Sequence, residues 1–127
     1  MQEKHLYEYA VIRVFPKVER EEFINVGIIL FSKQANFIKL LYKVDEAKLS
    51  ALSKDTDIEI IEKTLKTFEK IALGEKDCGS IASMETAERF RWLTAVKSTC
   101  VQTSRPHSGF SSDLDKTTEK LFAELVL

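Results

Sequence analysis

Long apolar runs, cysteine, histidine, proline and glycine are all scarce in this chain of 127 residues. The longest apolar run, Val26 to Phe31, is six residues. A membrane-spanning helix needs about 20, so no membrane association is expected. The two cysteines, Cys78 and Cys100, stand 22 positions apart and fit no CxxC or Cys/His spacing, which argues against a disulfide framework. They read as two reduced thiols in a cytoplasmic protein. His5 and His107 are the only histidines, too few for a histidine-built metal centre, and no metal or other cofactor is expected. GxGxxG, GxxxxGK[ST] and HExxH are all missing, and neither histidine has a serine or cysteine nearby in nucleophile-elbow context. A targeting segment is not expected, because Glu8 falls inside what would have to be the apolar region of a signal peptide. Charge of one sign is missing too: 19 Lys+Arg against 20 Asp+Glu give a net −1, so overall charge points to neither nucleic acid nor a membrane surface.

What is present is ordinary globular composition, 44% hydrophobic and 31% charged, in a length that fits a single domain over residues 1–127. The first 44 residues read as three strands. Leu6 to Phe15 sets Leu6, Ala10, Ile12 and Val14 on one face and Tyr7, Tyr9, Val11 and Phe15 on the other, so both faces are expected to be covered. Pro16 ends that run. Phe23 to Phe31 follows, two-sidedly apolar except at Asn25 and Gly27, and after a turn at Ser32–Asn36 comes Phe37 to Val44. Short connections favour an antiparallel meander. The middle is helical. Asp45 can cap a short helix, and a longer one starts near Thr56 or Asp57, carries the stripe Ile58, Ile61, Leu65, Phe68 and Ala72, and ends at Gly74. A third helix starts near Ser83. Val96 to Thr103 reads as a fourth strand and Ser104 to Gly109 as loop. A last helix, capped by Ser112 or Asp113, buries Leu114, Leu121, Phe122 and Leu125. The fold class is α+β: an antiparallel sheet of about four strands, a three-stranded N-terminal meander plus a later strand, packed by three to four helices.

The near-zero charge hides an uneven distribution. Residues 45–88 carry a net −5, whereas residues 89–109 carry Arg89, Arg91, Lys97 and Arg105 with no acid, a net +4. That segment also holds six Ser or Thr hydroxyls. Guanidiniums and hydroxyls suit an anion or partner site, because Arg offers a fixed fork of donors. The same residues also suit an edge strand protected against pairing, or ion pairs between Arg89, Arg91 and the acidic helix. Both readings stand at this stage. Asn25 and Gly27 share a face of their strand in this reading. Arg13 lies on the Tyr7/Tyr9 face, where Glu22 or another acid is its expected partner. Four basic residues and one tryptophan are too few for the broad basic, aromatic face of a nucleic-acid binder.

Tyr7 to Val14, Glu19 to Phe31, Arg89 to Ala95, Ser98 to Ser104 and Pro106 to Gly109 together resemble the bacterial domain of unknown function 3037 family over nearly the whole chain. Family motifs fall on Arg13, Asn25, Gly27, Arg89, Arg91, Gln102 and His107, which the resemblance marks as the site. It also implies a neighbourhood with HipA-like kinases. The first functional expectation is therefore a non-catalytic cytoplasmic accessory domain that binds a partner protein, a HipA-like kinase, with residues 89–109 as contact or anion-binding surface. The alternative is a phosphate-ester or nucleotide-binding protein, with Arg89 and Arg91 on the anion and His107 as catalytic acid/base, since its reference pKa of about 6.5 suits neutral pH.

Overall fold

In the computed structural model, which describes residues 3–75, 79–95 and 99–127, the chain is organised around one strand, β1 (His5–Val14). Its aromatic and β-branched residues favour extended backbone, and Pro16 follows its end. A 3-10 turn at Val18–Arg20, closed by Glu21 at φ 57°, leads to β2 (Ile24–Ser32). A tight turn with Asn36 at φ 48° leads to β3 (Phe37–Tyr42). β1, β2 and β3 form the antiparallel meander that the short connections indicate. Two later strands, β4 (Val101–Thr103) and β5 (His107–Ser111), both pair antiparallel with the other side of β1. The sheet order is β3-β2-β1, with β4 and β5 end to end along the outer edge.

Of the described residues of the expected fourth strand, Val96 to Thr103, only Val101–Thr103 are strand, and Thr99 and Cys100 precede it as bends. Val96 to Ser98, at its start, and Cys78 lie outside the described residues. The stretch expected as loop, Ser104 to Gly109, is strand again from His107 onward. Only Ser104, Arg105 and Pro106 interrupt the edge. Arg13 pairs with Gln102 and Tyr9 with His107, so β1 spends one residue fewer than its partner between these pairs, which defines a β-bulge opposite Val11. Pro106 has no N–H to give a ladder. Ser104 holds the bulge shut from both ends: its N–H donates to the Val11 carbonyl at 2.8 Å, and its buried Oγ accepts from the Val11 N–H at 2.9 Å. A second irregularity lies in β2, where Ile12 pairs with Gly27 but Arg13 pairs with Asn25. The extra residue, Val26, moves Asn25 and Gly27 to opposite faces, which corrects the expectation that they share one.

Helices cover both faces. On one, Ala10, Ile12, Val14, Val26, Ile29 and Leu40 pack against α1 (Glu46–Leu52), α2 (Ile58–Leu73) and α3 (Thr86–Thr94). Of the α2 stripe Ile61, Leu65, Phe68 and Ala72 are buried and Ile58 is partly buried, and Ile71 joins them inside. Asp45 and Asp57 cap α1 and α2 by accepting from Lys48 N and Ile60 N, while Thr56 donates its hydroxyl to Ser53 instead of completing a capping box. Ser83 belongs to a 3-10 turn (Ile81–Ser83), and α3 starts three residues later than it. On the other face, Val11 and Ile28 pack with Tyr9, Val126 and the Leu121 and Phe122 side chains of α4 (Leu114–Leu125). Leu125 is exposed and Val126 takes its expected place inside. No helix among the described residues is long and apolar enough to cross a membrane.

Replacing Ser104 by Ala leaves the buried Val11 N–H without an acceptor, which costs about 1–3 kcal/mol. Urea denaturation is expected to show that loss, with faster hydrogen exchange at the Val11 amide. Unchanged stability would contradict the role given to Ser104.

Candidate functional site

The two bulges place three of the motif residues side by side. Arg13 on β1 lies directly opposite Asn25 on β2 and directly opposite Gln102 on β4, giving a row of one guanidinium between two amides on the α4 face of the sheet. Asn25 is fixed by its Nδ2 donating to the Leu125 carbonyl at 3.0 Å. Gln102 is fixed by its Nε2 donating to the Thr99 carbonyl at 2.9 Å. Arg13 lies over the Phe23 ring, with Cζ 4.3 Å from its centroid, and Phe23 in turn packs on Phe15 at 5.3 Å. The expected partner Glu22 is paired with Arg20. Two polar atoms of the row, Arg13 Nε and Asn25 Oδ1, are buried without a hydrogen-bond partner among the described residues. Beside the row runs a cleft of about 380 Å³ between Phe23, Asn25, Lys48 and Leu125.

Farther along the same face of β1 the site turns aromatic. The His107 ring packs on Tyr9 with centroids 5.4 Å apart, and Tyr7 follows Tyr9 at 6.3 Å. Gly109 makes room for this. A Cβ there would lie 2.5 Å from the Tyr7 hydroxyl oxygen, so any side chain would push Tyr7 aside. Burial, and the neighbouring Tyr9, raise the Tyr7 phenol above the ordinary tyrosine value.

The other motif residues lie elsewhere. Gly27 faces the α2 layer, where a Cβ would meet the Leu41 carbonyl at 2.6 Å; its role is close backbone packing. Arg89 on α3 binds the end of α2. Its NH1 donates to the Ile71 and Ala72 carbonyls at 3.1 and 2.7 Å, and its NH2 donates to Thr86 Oγ1 at 3.2 Å. A cation there satisfies carbonyls that the helix leaves open and meets the negative end of its dipole. Arg89 also borders a cleft of about 460 Å³, with Phe31, Lys33, Asn36 and Glu85. Arg91 is exposed on the same helix, and Trp92 is partly exposed, edge-on to Phe68. The two α3 arginines therefore belong to the α2–α3 layer, while His107 packs on the opposite side of the sheet. The three groups that the phosphate-ester alternative requires in one place are not brought together. Among the described residues no cluster of His, Cys, Asp and Glu forms a metal site. The parts of the site that sequence reasoning missed are Phe23 and the tyrosines. Their signal was the alternation Tyr7, Tyr9, Arg13 on one strand face.

The fold and this face define a small α+β domain whose antiparallel sheet is covered on both sides by helices and carries an aromatic and polar strip along one edge. Residues 9–126 match the family described as "Protein of unknown function (DUF3037)", and the chain belongs to that family. No curated protein and no solved structure matches it.

Arg89→Ala is expected to destabilise the domain by about 1.5–3 kcal/mol, as for lost hydrogen bonds to a charged group, whereas Arg91→Ala stays within about 0.5 kcal/mol. Denaturant unfolding of the two variants measures this, and equal effects would contradict the cap assigned to Arg89. The raised Tyr7 pKa has a defined sign. The unfolded chain gives up this proton first, so the contribution is present below the ordinary tyrosine value and is lost as pH rises from there through the raised one. Between about pH 9 and pH 11, Tyr7→Phe is expected to lose less stability than the parent chain.

Proposed function

We propose that this chain is a non-catalytic accessory domain of the cytoplasm that binds a partner protein through the face formed by β1, β4 and β5. A HipA-like kinase is the partner suggested by the family's resemblance. The observation that carries the reading is the meeting of residues far apart in sequence, Arg13 with Gln102 and Tyr9 with His107, on a strip that the helices leave partly open. Arginine and tyrosine are the residues that most often anchor protein interfaces, and here they are held by strand register, stacking and close packing against Gly109. Of the basic segment 89–109, the second half supplies this surface, with Gln102 and His107 on it, while Arg89 serves the scaffold. A rigid strand platform suits recognition, since little conformational freedom is lost on binding.

Titration calorimetry of the purified chain with a purified HipA-like kinase tests the proposal. A Tyr9→Ala/His107→Ala double variant, shown to be folded by circular dichroism, is expected to bind about tenfold or more weakly. Arg91→Ala is expected to bind like the parent. No binding by the parent chain, or equal weakening in both variants, would overturn it.

A further inference from the structure

We infer that Arg13 is a receptor for a carboxylate, supplied by an Asp or Glu side chain of the bound protein. The inference rests on the reading of this face as a protein-contact surface and names the chemistry that the contact requires. Arg13 is half-buried, and among the described residues it has neither an ion-pair partner nor a hydrogen-bond acceptor. The nearest candidate by sequence, Glu22, is occupied by Arg20. Its cross-strand neighbours on both sides are neutral amides, and residues 89–109, which supply one of them, contain no acid at all.

A guanidinium so placed is partly stripped of water without being paid in hydrogen bonds, which is unfavourable unless a partner completes it. It is also held in position. The Phe23 ring fixes the plane of the fork at 4.3 Å, and Phe15 backs Phe23. A planar fork with its stem immobilised matches a planar carboxylate in two parallel hydrogen bonds. The flanking amides carry no charge, so the immediate surroundings balance one negative charge, as on a carboxylate, better than the two of a phosphate. Asn25 Oδ1, buried and without a hydrogen-bond donor among the described residues, is a second sign that the row is incomplete in the free chain.

The test uses the isolated, isotope-labelled chain and follows the Arg13 Nε–H resonance, assigned by its loss in Arg13→Lys. N-acetyl-glutamate amide, N-acetyl-glutamine amide and inorganic phosphate are titrated separately at constant ionic strength. The expected result is a saturable shift with the glutamate probe that is at least about tenfold weaker with the glutamine probe and no tighter with phosphate. Arg13→Lys, which keeps the charge and loses the fork, is expected to weaken the response at the neighbouring Gln102 amide. An absent or unsaturable shift with the glutamate probe, an equal shift with the glutamine probe, or tighter binding of phosphate would each overturn the inference. Because no kinase is present, these outcomes are separate from those of the calorimetric titration. The chain can bind the kinase while Arg13 takes no carboxylate, or the reverse.

Discussion

Two hydrogen bonds between Ser104 and Val11 hold together everything that the outer edge of the sheet contributes. β4 and β5 run along the same side of β1 but are out of step by one residue. At that step a proline and an extra residue leave the ladder without its regular donor and acceptor. Ser104 replaces them with its own N–H and its hydroxyl. The side-chain period of a strand is two, so one residue of slip exchanges the faces. The bulge therefore decides that Gln102 and His107 stand on the same face, beside Arg13 and Tyr9. The bulge at Val26 acts in the same way on the other side of β1 and adds Asn25 to the row. Extra residues in the flanking strands, and none in β1, produce the alignment.

The arrangement separates structural from surface roles within a set of residues of one kind. Arg89 and Arg13 are both arginines inside family-like motifs, yet Arg89 donates to the open carbonyls of α2 and Arg13 has no acceptor among the described residues. Asn25 and Gly27 are two positions apart, yet the asparagine ties β2 to the end of α4 and the glycine lets Leu41 approach on the opposite side. Two helical layers make this division possible. The α1–α2–α3 layer and its large apolar cluster stabilise the sheet, and the smaller α4 layer covers only part of the other face, leaving His107 on β5 exposed and Tyr9, Arg13 and Gln102 partly so.

The regular parts of the fold were legible in the sequence for physical reasons. The Ile61, Leu65, Phe68 and Ala72 spacing marks α2, and two-sided apolarity marks β1 and β2 as strands covered on both faces. Ile38, Leu40 and Tyr42 alternating with Lys39 place β3, whose Lys39 reaches Asp115 of α4 at 3.0 Å. The candidate residues were legible too, through the motifs that carry the family resemblance. Their arrangement was not. Ser104 to Gly109 has the composition of a loop, and no pattern of hydrophobicity reveals that His107 to Ser111 rejoins β1, because Phe110 is the only apolar side chain there and it faces solvent. A one-residue bulge leaves no mark on composition, so neither the grouping of Arg13 with Asn25 and Gln102 nor the separation of His107 from Arg89 and Arg91 could be read beforehand. Net charge by segment was a partial guide. It singled out residues 89–109, but tertiary structure divides that segment between a helix on one face and a strand edge that serves the other.

The register of that edge is the claim on which the functional reading turns, and nuclear Overhauser contacts in the isotope-labelled chain measure it most directly. The account predicts contacts between the Tyr9 and His107 rings and between the Arg13 and Gln102 side chains in the same sample. An edge strand that continued the β4 register without the bulge would instead set Pro106 opposite Tyr9 and turn His107 to the α2 side. Contacts of that second kind would contradict the account.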